Sequence, residues 1–321
     1  MTAARRVVSV SLGSSRRDHE AELAVGGVTV SVARRGTDGD VEAAVRLIGE
    51  LDGTVDAIGL GGLDVHVWVG EEHFVLADGM RLLGAARRTP VVDGSLLKRS
   101  MEPMAVRWLS AHGPVPLSGL PVLMASALDR WGMSEALEAA GCAVTYGDLM
   151  LFAGIPYPVA GLAQVRRVAR RLAGEMVKLP IHMVYPTGRA QDVESRCRFP
   201  EAFAAASLLA GDFPLLRRDL PERLDGKAIL TNTTTAADRA DLAARGARWL
   251  FLTTPLVDGR SFGTNAVEAA VVAVLGRPPE EIAPAEIEAL LASDRYRPAV
   301  VDLQAAGGGA APPQAAKGEP A

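Results

Sequence analysis

Two cysteines, Cys142 and Cys197, are all that the 321 residues contain, and neither stands in CxxC or Cys/His metal spacing. That excludes a disulfide framework and a cysteine-built metal site, and it makes a reduced, cytoplasmic setting the expectation. The five histidines are scattered and none forms HxxxH, so no metal is expected either. Basic charge is not in excess: 34 Lys and Arg face 38 Asp and Glu for a net charge of −4, which argues against a dedicated nucleic-acid binder. No apolar run is long enough to span a membrane, and the arginine-bearing N-terminal stretch is too short and too polar for a signal peptide. Also missing are a GxxxxGK[ST] phosphate loop and a GxGxxG dinucleotide fingerprint.

What is present is a soluble, globular balance, 49% hydrophobic and 22% charged, in a chain long enough for two domains. The pattern predicts an α/β fold of two domains, the second a Rossmann-like, mainly parallel sheet with helices on both faces. In the first half, Arg6–Leu12 alternates as a strand, and Gly26-Gly27 marks a hairpin because both glycines accept positive φ. Asp40 is placed to cap a helix with Val41, Ala44, Val45, Ile48 and Leu51 on its apolar face. Val55–Leu60 is a buried strand, Gly70-Glu71-Glu72 turns a second hairpin, and helices are predicted near residues 79–87 and 96–111. The breakers His112-Gly113-Pro114-Val115-Pro116 suggest the boundary, giving a substrate domain over residues 1–117 and a nucleotide-binding domain over 118–264. Helices within 265–303 are expected to pack back on the first domain, and the low-complexity residues 305–321 to be disordered.

Pro121–Asp148 reads as strand, turn, helix and second strand, ending on a carboxylate. Asp148 lies about 20 residues beyond the first turn, where dinucleotide folds keep the acid that grips a ribose. It therefore predicts NAD, with NADP as the alternative, and places Ser126 on the cofactor side. The turn has one glycine, Gly132, and Asp129 reads as a helix cap. Asn232, Thr233 and Thr234 follow a strand and precede a helix, so they face the crevice at the strand ends, while Thr235 and Asp238 can cap that helix. In Gly259–Asn265, glycines permit close approach and Arg260 offers a bidentate fork for an anion, with Ser261, Thr264 and Asn265 beside it. The alternative is that Thr264 or Asn265 merely caps the next helix. Ser11, Ser14, Ser15 and Arg16 form a similar loop, suited to an acidic polyol or to a plain solvated turn. Lys98 could move a proton on a substrate alcohol with Asp93 orienting it, or be the solvated neighbour of the buried face formed by Leu97, Met101, Met104 and Trp108. Arg166, Arg167, Arg170 and Arg171 form one basic helical face, solvated or in contact with the second copy in a homodimer.

The segments SVSLGSSRRDH, TDGD, DAIGLGGLD, TPVVDGS, YGDLM, AGDF, TNTTT and GRSFGTN together resemble a bacterial family labelled quinate 5-dehydrogenase, over nearly all of residues 6–303. That resemblance implies a shikimate/quinate dehydrogenase-like enzyme: a substrate domain, a nucleotide-binding domain and hydride transfer at a ring alcohol of a small hydroxy acid. Asn232-Thr233-Thr234 is similar to the Asn-Ala/Thr-Thr/Ser loop beside the cofactor of that group, and Ser11 with Ser14-Ser15 to its carboxylate-binding serines. The NVTxPxK motif is absent, which leaves Lys98 as the nearest catalytic lysine and Asp93 as its partner. Two other classes stay open: a ligand-binding or regulatory protein without redox chemistry, and a transferase or lyase acting on a phosphorylated metabolite.

Overall fold

A computed structural model describes residues 5–176, 197–257 and 260–305. The first lobe holds β1 (Arg5–Ser11), β2 (Glu20–Val25), β3 (Val28–Gly36), α1 (Val41–Leu51), β4 (Ala57–Gly61), β5 (His66–Val69), β6 (Glu72–Val75), α2 (Ala77–Leu83) and β7 (Val91–Val92). Its sheet runs β2-β3-β1-β4-β7. Strands β3, β1, β4 and β7 are parallel, and β2 joins β3 as an antiparallel hairpin. Gly26 and Gly27, at φ 56° and 73°, make that two-residue turn, as their pairing predicts. The Asp40 carboxylate accepts the Ala43 N–H at 2.9 Å and so starts α1 at the expected residue.

Two helices lead out of this sheet, α3 (Ser95–Arg99) and α4 (Met101–His112). Sequence periodicity predicts one helix here, but it breaks at Ser100, whose φ of −120° and ψ of −68° depart from helical values. Pro103 explains the break, because its ring clashes with the carbonyl four residues back and it has no N–H to donate. Leu97 and Met101 join the core of the first lobe while Val106 and Leu109 join that of the second, so the pair stitches the lobes together. The breaker loop at 112–116 is therefore no clean boundary.

The second lobe contains β8 (Pro121–Met124), α5 (Trp131–Ala139), β9 (Ala143–Tyr146), β10 (Val159–Ala160), α6 (Leu162–Met176), α7 (Pro200–Ala205), β11 (Leu208–Ala210), α8 (Phe213–Arg217), β12 (Ala228–Thr231), α9 (Ala236–Ala244) and β13 (Trp249–Leu252). A small hairpin, β14 (Leu256–Val257) with β15 (Arg260–Ser261), leads to α10 (Thr264–Leu275), α11 (Pro284–Ser293) and β16 (Ala299–Asp302). Among the described residues the sheet order is β10-β9-β8-β11-β12-β13-β16. The five central strands are parallel and the two edges antiparallel. Val122, Met124, Leu208, Ala210 and Leu230 face one helical layer, and Leu123, Leu209, Ile229 and Leu250 face the other. That alternation buries both faces and makes a doubly wound α/β sheet. The strand order reverses between β8 and β11, which is where such sheets open a crevice.

Helix α10 is buried on every side, with all of Thr264–Ala273 covered, Glu268 included. It lies against β1 and β4 of the first lobe. Contact is so close that a methyl at Gly59 would stand 2.6 Å from the Asn265 carbonyl oxygen. Each fully buried valine on it, such as Val267, Val271 or Val272, contributes about 1.5–3 kcal/mol relative to exposure. Helix α11 packs on α3 and α4. The expectation for residues 265–303 needs one correction: β16 does not return to the first lobe but pairs with β13, burying Val301 in the second core. The predicted disordered tail and an extended segment at 180–185 lie outside the described residues. No helix among the described residues is long and apolar enough to cross a membrane.

Candidate active site

The carboxyl ends of both sheets face each other across a cleft of about 450 Å³. Onto it come Ser9 and Ser11 from β1, Gly61–Asp64 after β4, Asp129 and Arg130 after β8, Asp212 after β11, and Asn232–Thr235 after β12. Lys98, at the end of α3, lies on its floor. Strand ends collect there because a parallel strand must release its chain at the carboxyl end into a loop, where side chains are free to face a ligand.

Lys98 joins the two lobes. Its Nζ donates to Asp64 Oδ1 and to Asp129 Oδ1, both at 2.6 Å, and all three groups are largely buried. Behind Asp129, Arg130 donates to Asp129 at 3.0 Å, to Asp212 at 2.9 Å and to Glu102. Four carboxyl groups therefore share two cations, and of these groups Asp212 is the one partly open to water. Burial would lower Lys98, but Asp129 and Asp64 overcome it and keep the ammonium charged well above the usual lysine range. Burial, opposed by Lys98 and reinforced by Asp129, holds Asp64 well above the carboxylate range. Burial also pushes on Asp129, yet Arg130 and Lys98 prevail and hold it well below that range. Burial raises Glu102 and Asp212 as well. Two aspartates on one lysine are thus pushed in opposite directions, Asp64 toward its neutral form and Asp129 toward its charged one.

The predicted pairing of Lys98 with Asp93 is not formed. Asp93 accepts the backbone N–H groups of Val65 and His66, each at 2.8 Å, and of Ser95 at 3.1 Å, with the His66 ring 3.3 Å away. Those donors, after burial is set against them, hold it far below the ordinary range, and its work is to fix the loop bearing Asp64. Asp129 does not cap α5, since no side-chain cap bond is made there.

Asp148 and Ser126 are not on the cleft. Asp148 is buried and points back into the turn after β8, where it accepts from Ser126 Oγ at 2.8 Å, Ala127 N at 3.0 Å and Leu128 N at 3.1 Å. Chain distance matches the ribose-binding acid; side-chain direction does not.

Asn232, Thr233 and Thr234 line the cleft and also tie it to the segment before α10. Asn232 Nδ2 donates to Thr264 Oγ1 at 3.2 Å, Thr233 Oγ1 to the Phe262 carbonyl at 3.3 Å, and Thr234 N to Ser261 Oγ at 3.0 Å. Thr235 and Asp238 form the full capping box of α9. Ser261 sits in a GxSxG spelling, but its Oγ also donates to the Thr234 carbonyl, so it serves as a tie. Asn265 lines the cleft and its Nδ2 donates to Ser9 Oγ at 2.7 Å. Ser11 is on the cleft and accepts from Arg34 at 3.0 Å, and Arg16 is an exposed guanidinium on its wall. Ser14 and Ser15 do not line it: Ser14 Oγ accepts the Arg16 N–H and Ser15 Oγ donates to Asp38. The side chain of Arg260 lies outside the described residues.

Sequence reasoning missed Asp64, Arg130, Asp212 and Arg34, and misassigned Asp129. A signal existed for three of them. Asp64, Asp129 and Asp212 each come within a few residues of the end of a buried parallel strand, where the crevice rule puts ligand groups.

Fold and cleft define a two-lobed α/β protein with a doubly wound second sheet and a charged site at its switch point. Residues 96–303 match the family described as Domain of unknown function (DUF8754), well over half of the chain, and the protein belongs to that family. Residues 6–93 match a second, Domain of unknown function (DUF8753), so the two matches meet just before Lys98. No curated protein matches the chain. Among solved structures it is similar to hetero-hexameric glutamate dehydrogenase from Thermus thermophilus in a Leu-bound form, at 13% identity over 90% of this chain and 73% of that one, with a TM-score of 0.41. A Mycobacterium smegmatis protein in complex with β-D-fucofuranose follows at 13%, over 91% and 96%, with a TM-score of 0.33. A dipicolinate synthase chain from Bacillus halodurans gives 13%, over 86% and 98%, with a TM-score of 0.27. At that level the likenesses bear on neither ligand nor reaction.

Proposed function

We propose that the protein is an enzyme that moves a proton on a small, anionic, hydroxylated metabolite enclosed between its lobes. The observation that carries this is Lys98 Nζ at 2.6 Å from one carboxyl group of each lobe, on the floor of the cleft. In this arrangement Asp64, whose carboxyl burial raises, gives and takes the proton, Asp129 stays ionised and holds Lys98, and the Lys98 ammonium stabilises negative charge developing on a substrate oxygen. Arg16 on the wall offers a fork to a substrate carboxylate. Quinate- and shikimate-like hydroxy acids are the class to test first. Titration calorimetry of the purified chain with these acids, without any cofactor, is expected to show saturable binding that Lys98→Met weakens at least tenfold. Equal binding by the variant, or no binding by any hydroxy acid, would sink the reading.

A second reading, NAD(P)-dependent hydride transfer at a ring alcohol, draws support from the hydroxyl and amide groups of Asn232–Thr234 at the end of β12. The residues after β8 do not fit a dinucleotide in its usual seat, because Asp148 already takes the amides there. Reduction of NAD or NADP by the protein with quinate or shikimate, followed at the nicotinamide absorbance, decides for this reading if it occurs.

A further inference from the structure

In a doubly wound sheet the turn after the first parallel strand presents backbone N–H groups, and bound phosphates lie on them. Here four successive donors of that turn, Ala127 to Arg130, are taken. The N–H groups of Ala127 and Leu128 go to the Asp148 carboxylate, that of Asp129 to Ser126 Oγ at 3.3 Å, and that of Arg130 to the Ala127 carbonyl at 3.1 Å. Ser126 Oγ itself donates to Asp148. The start of α5 lies close against α3, since a methyl at Gly132 would lie 2.5 Å from the Lys98 carbonyl oxygen. Gly147 allows the return chain to come this near: a methyl there would meet the Ala125 carbonyl at 3.0 Å.

We infer that the Asp148 carboxylate is a built-in anion occupying the phosphate seat of the second lobe, so that no nucleotide phosphate binds along the β8 turn. The argument rests on these four donors: a phosphate on the Ala127 and Leu128 amides would have to evict a buried carboxylate and leave it without its backbone partners. Ligand binding is thereby moved off the turn and into the space between Lys98, Asn232–Thr234 and the first lobe, which suits a compact molecule. This is independent of the proton chemistry at Lys98, and the two can fail separately.

The test uses the full chain labelled with ¹⁵N-alanine and ¹⁵N-leucine. The Ala127 and Leu128 amide signals are expected to be protected from exchange in the free protein and unmoved by millimolar NAD, NADP or ADP. Saturable displacement of either signal by any of these would overturn the inference. Asp148→Gly is the complementary variant, expected to gain a rise in melting temperature with inorganic pyrophosphate that the wild type lacks. If this variant folds and pyrophosphate stabilises it no more than the wild type, the seat is not an anion seat. If it does not fold, the amide titration decides. A hydroxy acid binding with loss on Lys98→Met, beside unmoved turn amides, would leave both readings standing.

Discussion

Replacing Glu268 by glutamine should stabilise the protein at neutral pH and do nothing in acid. Glu268 is fully buried on α10, and its Oε2 accepts the Leu97 N–H at 3.0 Å, beneath the helix that carries Lys98. Burial, with the charge of Asp93 added, pushes its carboxyl up to about 8 from an ordinary 4.5, against the pull of the α3 amides. Below pH 4.5 the group is protonated folded or unfolded and costs nothing. Between 4.5 and 8 the unfolded chain releases its proton while the folded one keeps it, so the unfolded state binds fewer protons and stability falls with rising pH. The slope is about 1.4 kcal/mol per pH unit, so roughly 3 kcal/mol is lost by pH 7 from this group alone. Glutamine cannot ionise and still offers a carbonyl oxygen to Leu97. Urea unfolding of wild type and Glu268→Gln at half-unit steps from pH 4.5 to 8 measures the difference directly. Other buried acids whose carboxyls are raised, Asp64 and Glu102 among them, tilt both curves alike. Only the divergence of the two curves belongs to Glu268: near zero at pH 4.5 and about 3 kcal/mol in favour of the variant at pH 7. Parallel curves would refute the argument.

Lys98→Met removes the cation from two buried ion pairs, and about 3–5 kcal/mol of stability should go with it at pH 7. The loss should shrink toward pH 4, as the carboxyl groups left behind protonate; a pH-independent loss would mean that packing, not charge, was removed. Arg130→Met should cost a similar amount, about 3–5 kcal/mol by urea unfolding, because Glu102 and Asp129 lose a fully buried partner. Arg130→Lys should recover only part of that loss, since an ammonium cannot reproduce the fork reaching Asp129, Asp212 and Glu102 at once. Gly59→Ala forces α10 away from β4, because the methyl would overlap the Asn265 carbonyl, and a loss of about 1–3 kcal/mol is expected. Thermal unfolding unchanged by that substitution would show that the contact between helix and strand can yield.

Local features were legible because their causes are local. The Gly26-Gly27 turn needs only two residues that accept positive φ, and the cap at Asp40 only a carboxylate three residues before an N–H. The central strands announced themselves as short apolar runs, since a strand covered on both faces has nowhere to put a polar side chain. The site was less legible, because each of its bonds spans distant parts of the chain. An aspartate just before a helix looks like a cap whether or not Lys98 arrives from 31 residues away to claim it, and that is how Asp129 was misread. Asp93 and Lys98 are near neighbours in sequence, yet they face different partners because Asp93 turns back to the loop at Val65 and His66.

Asp148 carries the same lesson further. Counting residues from the turn put a carboxylate at the end of the second strand, and the structure has one there. Counting does not say which way it points, and in a chain without the glycine fingerprint the direction decides the job. With glycines, the turn would leave its amides open and depend on a ligand to fill them. Without them, the protein must satisfy the Ala127 and Leu128 N–H groups itself, and a carboxylate just past the end of the neighbouring strand accepts both. The missing motif and the misplaced acid are therefore one fact: a turn that lacks GxGxxG and ends its second strand in aspartate has supplied its own anion.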